Sequence, residues 1–455
     1  MSTAVAQDLI ASTENRVVFG LGVTGLSCAR FLHRNGLAFS VVDTRAEPPG
    51  LDVLQREMPE VPVLAGDIPP QVLESASELI VSPGIALEAP LVAAAVAAGA
   101  TVLGDIDLFV REARAPVVGI TGSNAKSTVT ELVGEMARAA GLRVGVGGNL
   151  GTPALDLLDD ASELYVLELS SFQLERAGQL DLQVATVLNV SPDHLDRHGS
   201  MPRYHQAKHR IFRGCHSAVV NRDDTLTIPL VGDEVAVISW RLREPELNGF
   251  GLRTIDGVET LCHGFEPLMP TADLPLVGRH NCANVLAALA IGHAAGLPMA
   301  AMLDAVRAFR GLPHRCQLVR EYRGVRYVND SKGTNIGACE AALVGLGGEG
   351  NVILIAGGQG KGADFNQLRK AVKRYCRGVI VMGEAAAELD SALADIVPVQ
   401  PVTDMRAAVE AAAGLGEAGD LVLLSPACAS FDMFRGYADR GHAFTAAVEQ
   451  LGEGA

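Results

Sequence analysis

Short runs of valine, isoleucine and leucine ending on glycine, serine or asparagine recur along the chain, each followed by a segment of helical period: RVVFGLG, VVGITGS, LYVLELSS, ATVLNVS, NVILIAGG, GVIVMG and LVLLSPA. This alternation predicts α/β units around mostly parallel sheets, because a continuously apolar strand needs cover on both faces. At 455 residues the chain is too long for one hydrophobic core. Three sets of units separate, over 1–104, 105–311 and 312–455, the last beginning after Gly311-Leu312-Pro313-His314-Arg315. Between 221 and 275 the pattern turns short, polar and glycine-punctuated, and predicts a small antiparallel excursion with little chemistry.

Charge narrows the ligand classes. Asp and Glu number 53 against 37 Lys and Arg, a net −16, so no global field draws nucleic acid or an anionic membrane. A phosphate ligand must therefore be held locally. The opening MSTAVAQDLIASTENR lacks the basic and apolar regions of a signal peptide. Residues 280–303 carry no Asp, Glu, Lys or Arg, but Asn281, Asn284, His293 and the break at Gly296-Leu297-Pro298 predict a buried helix of about four turns rather than a membrane span. Eight cysteines without a C-x-x-C pair suit a reducing cytosol.

The strongest motif is Val117-Val118-Gly119-Ile120-Thr121-Gly122-Ser123-Asn124-Ala125-Lys126-Ser127-Thr128, a strand, a small-residue loop and a helix start. In the helix that follows, Val129, Leu132, Val133, Met136, Ala137 and Ala140 fall at the spacing of one face. Such a loop turns backbone amides and the positive helix end toward a polyphosphate, sets Lys126 beside the outer phosphates and leaves the Ser127 hydroxyl for Mg²⁺. ATP binding is the expectation, although Ala125 stands where the last glycine of the phosphate-loop pattern belongs.

Other candidates are weaker singly. Glu168 and Ser170 end the run Leu164–Ser170 on one face, and a carboxylate there suits a hard cation or a plain ion pair. His194, after Pro192-Asp193, is a metal ligand or a structural histidine. Lys208, in a helix starting at Tyr204, would repel Mg²⁺ unless carbamylation makes it an oxygen-bearing anion. Three further loops, Asn329–Asn335, Gly357–Asp364 and Ser425–Asp432, place cations and hydroxyls at strand ends of one sheet, where ligands bind in such folds. Near the start, Gly20-Leu21-Gly22-Val23-Thr24-Gly25 with Asp43 spells a dinucleotide fingerprint. The second phosphate loop at 119–127 and the cation of Thr44-Arg45 point instead to another nucleotide or a nucleotide-linked substrate.

Together GLGVTG, VSPGIAL, GITGSNAKST, GVGGNLGTPA, LELSSFQLE, NVSPDHLDRH, GRHNCANVLAA, GLPHRC, NDSKGTN, GGQGKGADF and SPACASFDMF, in this order, make the chain resemble the Mur ligase family over essentially its full length. The resemblance implies a Rossmann-like N-terminal domain for the UDP-linked substrate, a central P-loop-type ATP-binding domain with a mostly parallel sheet, and a C-terminal Rossmann-like α/β domain for glutamate. It implies ATP-dependent addition of D-glutamate to UDP-N-acetylmuramoyl-L-alanine through an acyl phosphate, with two Mg²⁺ ions, in a cytoplasmic monomer making peptidoglycan precursors. By resemblance, Gly122 to Thr128 with Asn281, Asn284, Arg315 and Asp330 hold ATP. Ser127 and Glu168 hold one Mg²⁺, and His194 with carbamylated Lys208 the other. Val23, Thr24, Thr44, Arg45, Ser82 and Gly84 line the UDP pocket, while Asn149, Ser170, Gln173 and His194 approach the muramoyl-alanine end. Lys332, Thr334, Lys361 and Ser430 grip glutamate, with Tyr437 standing where the family usually has Phe. Lys126, His194 and Lys208 are the expected catalytic groups. Alternatives are the same ligation with L-glutamate or another amino acid, as in sibling Mur or folylpolyglutamate-type ligases, and, from other classes, an NAD-dependent oxidoreductase or a nucleotide-regulated binding protein.

Overall fold

The computed structural model describes residues 15–276 and 278–452, so the opening stretch read for a leader lies largely outside the described residues. The chain divides into two compact units, one of residues 1–119, 143–183 and 210–215, the other of 120–142, 184–209 and 216–455.

The first unit contains β1 (Arg16–Phe19), β2 (Ser40–Asp43), β3 (Val63–Ala65), β4 (Glu78–Val81) and β5 (Thr101–Leu103). They form a sheet in the order β3-β2-β1-β4-β5, and every pairing is parallel. The order reverses between β1 and β4, and the strand ends beside such a reversal leave a crevice for a ligand. Val17, Phe19, Val42, Leu79 and Val81 build one core against the helices on that face. The strand β6 (Val117–Thr121) starts in this unit, and β7 (Val144–Gly148) and β8 (Leu164–Glu168) pair in parallel within it.

In the second unit β9 (Val184–Val187), β10 (Ser217–Asn221), β11 (Ala236–Trp240), β12 (Phe250–Ile255), β13 (Val258–His263) and β14 (Glu266–Pro270) follow the order β14-β13-β12-β11-β10-β9-β6. The expected antiparallel excursion is β12–β14, while β11 still pairs in parallel with β10. The helix Arg279–Ala294 packs Val285 to Ile291 inside, as the uncharged run from 280 onward predicted. No described helix is long and apolar enough to cross a membrane.

The last sheet, β15 (Gln317–Tyr322), β16 (Val325–Asn329), β17 (Val352–Gly357), β18 (Cys376–Met382), β19 (Val399–Pro401) and β20 (Leu421–Leu424), runs β15-β16-β20-β17-β18-β19. Only β15 is antiparallel to its neighbour. Along β17, Val352, Leu354 and Ala356 enter one core, and Ile353 and Ile355 the core on the opposite face. Both faces are dry, which is why the strand reads as unbroken aliphatics.

Candidate active site

The phosphate loop leaves β6 at Thr121 and enters the helix Lys126–Ala139, whose buried face includes Val129, Leu132, Val133, Met136 and Ala137 as its period predicts. Ala125 caps it with φ +67°, so the position where the motif wants glycine does need the left-handed conformation, and an alanine is held there against its preference. Asn189 anchors the loop, its Oδ1 accepting from the Asn124 amide at 2.8 Å. The Lys126 ammonium donates to the Gly122 and Ser123 carbonyls at 2.9 and 3.0 Å, and that of buried Lys208 donates to the same Gly122 oxygen at 2.8 Å. Two ammonium groups converging on one carbonyl prepare a place for a polyanion. Tyr204 braces the arrangement, hydrogen-bonding the Ser123 hydroxyl at 3.0 Å, and the Lys208 Nζ lies 4.6 Å above its ring. The helix carrying both spans Met201–His209 and so begins three residues before the expected start at Tyr204.

Beside the loop lies a cavity of about 370 Å³, lined by Asn124, Ala125, Thr128, Asn281, Asn284, Arg315 and Asp330 among others. These residues, expected to hold one nucleotide, come from four separated stretches of chain and share one space. Arg315 donates to the Ser127 hydroxyl at 2.8 Å. Burial pushes the Asp330 carboxyl up to about 6, against the Ser425 hydroxyl, Arg315 and the Cys316 amide, which favour its charge. The same cavity is lined by Asn221, Asp224 and Trp240. These belong to the stretch expected to carry little chemistry, and they form part of this cavity's wall. The only tryptophan in the sequence was the available signal.

A second cavity, about 150 Å³, is lined by Asp193, His194, Thr334, Asn335, Lys361 and Ala427 among others. Lys361 pairs with Asp193 at 2.7 Å. Burial drives the His194 imidazole down to about 4; Asp193 opposes this, and Lys361, Lys126 and Lys208 reinforce it, so the ring is neutral near pH 7. Of the expected glutamate residues, Thr334 and Lys361 line this cavity, whereas Lys332 lines the larger one, its Nζ 3.8 Å from the centre of the Tyr437 ring. Ser430 is buried at the loop after β20. Of the nine described non-glycine residues with positive φ, five (Ala125, His194, Cys316, Lys361 and Ala427) line these two cavities. Backbone strain gathers where function is expected.

In the first unit the residues expected at the UDP pocket stand at the ends of β1, β2 and β4. Val23 and Thr24 open the helix Val23–Arg34, Thr44 and Arg45 follow β2, and Ser82 and Gly84 follow β4. The Ser82 hydroxyl donates to the Gly20 carbonyl at 2.8 Å, tying two of these turns together. Burial alone would raise Asp43, but the Arg45 guanidinium and the Leu21 amide hold it at about 2. With its oxygens taken by that turn, Asp43 is not placed to read a ribose as a dinucleotide-binding acid does. Arg176, which sequence reasoning missed, donates to the carbonyls of Val81, Ser82 and Ile85 and fixes the loop after β4.

Glu168 ends β8 as expected and accepts from Asn149 Nδ2 at 2.6 Å. Ser170 lies beyond the strand, so strand alternation does not describe it: its hydroxyl caps the helix Ser171–Arg176 by accepting from the Gln173 amide. Gln173 turns inward, accepting from the Ser170 amide and donating to Asp105 at 2.8 Å. His194, grouped with these residues in the sequence reading, belongs to the other unit.

Known families account for this arrangement. Residues 14–104 match the Mur ligase MurD-like N-terminal domain, 120–292 the Mur ligase middle domain and 314–428 the Mur ligase glutamate ligase domain. UDP-N-acetylmuramoylalanine–D-glutamate ligase of Pseudomonas fluorescens is 56% identical over 97% of this chain and 99% of its own length, and that of Marinobacter nauticus 51% identical over 97% and 100%. Among solved structures, UDP-N-acetylmuramate-alanine ligase of Thermotoga maritima superposes with a TM-score of 0.58 at 18% identity, covering 97% of this chain and all of that one, which speaks to the fold. By these matches over nearly its whole length, the chain belongs to the Mur ligase family.

Proposed function

We propose that the chain joins D-glutamate to UDP-N-acetylmuramoyl-L-alanine, with ATP converted to ADP and phosphate, as a cytoplasmic monomer of peptidoglycan precursor synthesis. The observation carrying this reading is the 56% identity, over nearly the whole of both chains, to ligases of that name. The geometry supports it, since a phosphate loop and a nucleotide-sized cavity adjoin a small cavity lined by Lys361 and Thr334. A carboxylate resists attack by an amine until one oxygen becomes a leaving group. The L-alanyl carboxylate oxygen attacks the γ-phosphorus as the bond to ADP breaks. The glutamate nitrogen then attacks the acyl carbon, and the carbon–oxygen bond breaks with its electron pair leaving on phosphate, while the nitrogen gives up its protons to phosphate and solvent. In-line phosphoryl transfer mainly needs positioning and charge stabilisation. The loop amides, Lys126 and Arg315 supply both at the phosphates.

By donor chemistry, Ser127 and Glu168 are proposed to hold one magnesium ion, and His194 with Lys208 the other. The Ser127 hydroxyl and the Glu168 carboxylate are hard oxygen ligands, and both side chains are buried. His194, kept neutral chiefly by burial, offers a ring nitrogen, whereas Lys208, here an ammonium on the Gly122 carbonyl, would offer oxygens only once carbamylated. When bound, the metal screens the negative charge developing on the transferred phosphoryl group. Val23, Thr24, Thr44, Arg45, Ser82 and Gly84 are proposed to hold the UDP moiety, Asn149, Ser170, Gln173 and His194 the muramoyl-alanine end, and Lys332, Thr334, Lys361, Ser430 and Tyr437 the glutamate.

The test is phosphate release with ATP, Mg²⁺ and UDP-N-acetylmuramoyl-L-alanine, with D-glutamate, L-glutamate and other amino acids added separately. Release is expected with D-glutamate; release indifferent to the amino acid ends the assignment. Lys126→Ala should lower kcat by about 10²–10³, the scale of a lost charge-stabilising donor, with the fold intact.

A further inference from the structure

The Asp193–Lys361 pair lies in the wall of the smaller cavity rather than on the surface. The side chains are 8% and 15% exposed, with Lys361 Nζ 2.7 Å from Asp193 Oδ1. Asn335 Nδ2 donates to the other carboxylate oxygen at 3.0 Å, and the His194 amide donates to Oδ1 at 3.0 Å, so the carboxylate is fixed in direction. Its counter-ion sits on a residue with φ +52°, and Ala427, which lines the same cavity, has φ +58°. Positive φ on a lysine and an alanine is conformational cost tolerated at a ligand site.

A buried ion pair adds little stability by itself, because desolvation offsets its attraction. It is, however, the electrostatic complement of an α-amino acid, whose ammonium and carboxylate have the opposite order of charge. The α-ammonium and α-carboxylate of an amino acid entering between the two exchange one ion pair for two and strand neither group. We propose that Asp193 receives the α-ammonium group of the incoming glutamate while Lys361 receives its α-carboxylate, the ion pair holding the place of the amino acid until it arrives. This rests on the ligase reading and adds to it a group for the nucleophilic nitrogen. Thr334, on the same wall, offers a hydroxyl to the ligand. A dicarboxylic acid without the amine would meet the Asp193 carboxylate with no cation to offer it.

Glutarate, which is glutamate without its amine, separates the roles. In the wild-type enzyme glutarate should compete with D-glutamate and bind at least tenfold more weakly than D-glutamate does. Asp193→Asn should raise KM for D-glutamate at least tenfold and leave KM for ATP and for UDP-N-acetylmuramoyl-L-alanine within twofold. The same variant should hold glutarate as well as, or better than, the wild type does. Equal loss of glutamate and glutarate would mean that Asp193 only orients Lys361, and would overturn the assignment, as would an unchanged KM for glutamate. The wild-type comparison stands even if the variant does not fold: glutarate binding as tightly as glutamate overturns it there. An enzyme releasing no phosphate with D-glutamate would instead remove the ligase reading itself.

Discussion

Arg440 shares the buried face of the helix Tyr437–Glu449 with Phe444 and Val448, four and eight residues on, and is 1% exposed. Its guanidinium donates to the Ser331 hydroxyl and carbonyl at 3.0 and 2.9 Å, and to the carbonyls of Gly357, Cys428 and Ala429 at 3.1–3.3 Å. Those groups begin the loops after β16, β17 and β20, from which Lys332, Lys361 and Ser430 extend. Burial brings its pKa down to about 10, which still leaves it charged at neutral pH. Arg440→Ala strips three turns of their shared donor, so unfolding in urea should show a loss of about 3–5 kcal/mol, the scale for breaking a buried charged network. KM for glutamate should rise in the same variant; an unchanged KM would mean the three loops hold their places without it. The sequence carried a faint sign of this, an arginine at the spacing of an apolar stripe. Its partners lie 11 to 109 residues away, and no local pattern names them. Arg176 was hidden for the same reason.

At the scale of elements, what was legible is what local chemistry dictates. The strands read correctly because both faces are buried, and the helix after the phosphate loop because its apolar residues keep one face. The segment 221–275 read correctly as an antiparallel excursion, but its polarity gave no sign that Asn221, Asp224 and Trp240 line a cavity, because polarity reports exposure to water and a cavity wall can be polar too. The first β-turn-α unit shows how tight a legible motif is. A Cβ at Gly25 would stand 1.8 Å from the Gly20 carbonyl oxygen, so the helix Val23–Arg34 rests directly on the turn that Ser82 also grips. No side chain caps that helix, leaving its first amides to an anion. Gly25→Ala must push the helix off the turn. Overpacking of this kind costs about 1–3 kcal/mol or more, and thermal unfolding should show it. KM for the UDP-linked substrate should rise at least tenfold while KM for ATP stays near wild type. An equal rise in both would place the damage in the fold at large rather than in this pocket.

Across the whole molecule, the chain passes between its two compact units five times, at 119, 142, 183, 209 and 215, so neither is a single stretch of sequence. Segments drawn from strand-and-helix periodicity follow the order of the chain, whereas each compact unit gathers stretches far apart in it. Arg176, remote in sequence from the β4 loop it fixes, belongs to the same unit as that loop. The sequence nonetheless supplies one reporter for the entire protein. Trp240 is its single tryptophan, 4% exposed, in the wall of the larger cavity, where the nucleotide is proposed to bind, and its buried indole Nε1 has no hydrogen-bond partner among the described residues. A buried donor left unmade costs about 1–3 kcal/mol, which a ligand acceptor can return. Tryptophan emission should therefore shift as ATP is added and saturate, and should stay constant when glutamate is added alone. Trp240→Phe keeps most of the ring and removes the donor, so it should weaken nucleotide binding about tenfold, near 1.4 kcal/mol. Emission indifferent to ATP would place the purine elsewhere than against this wall, and an unchanged affinity in the phenylalanine variant would reduce Trp240 to apolar lining.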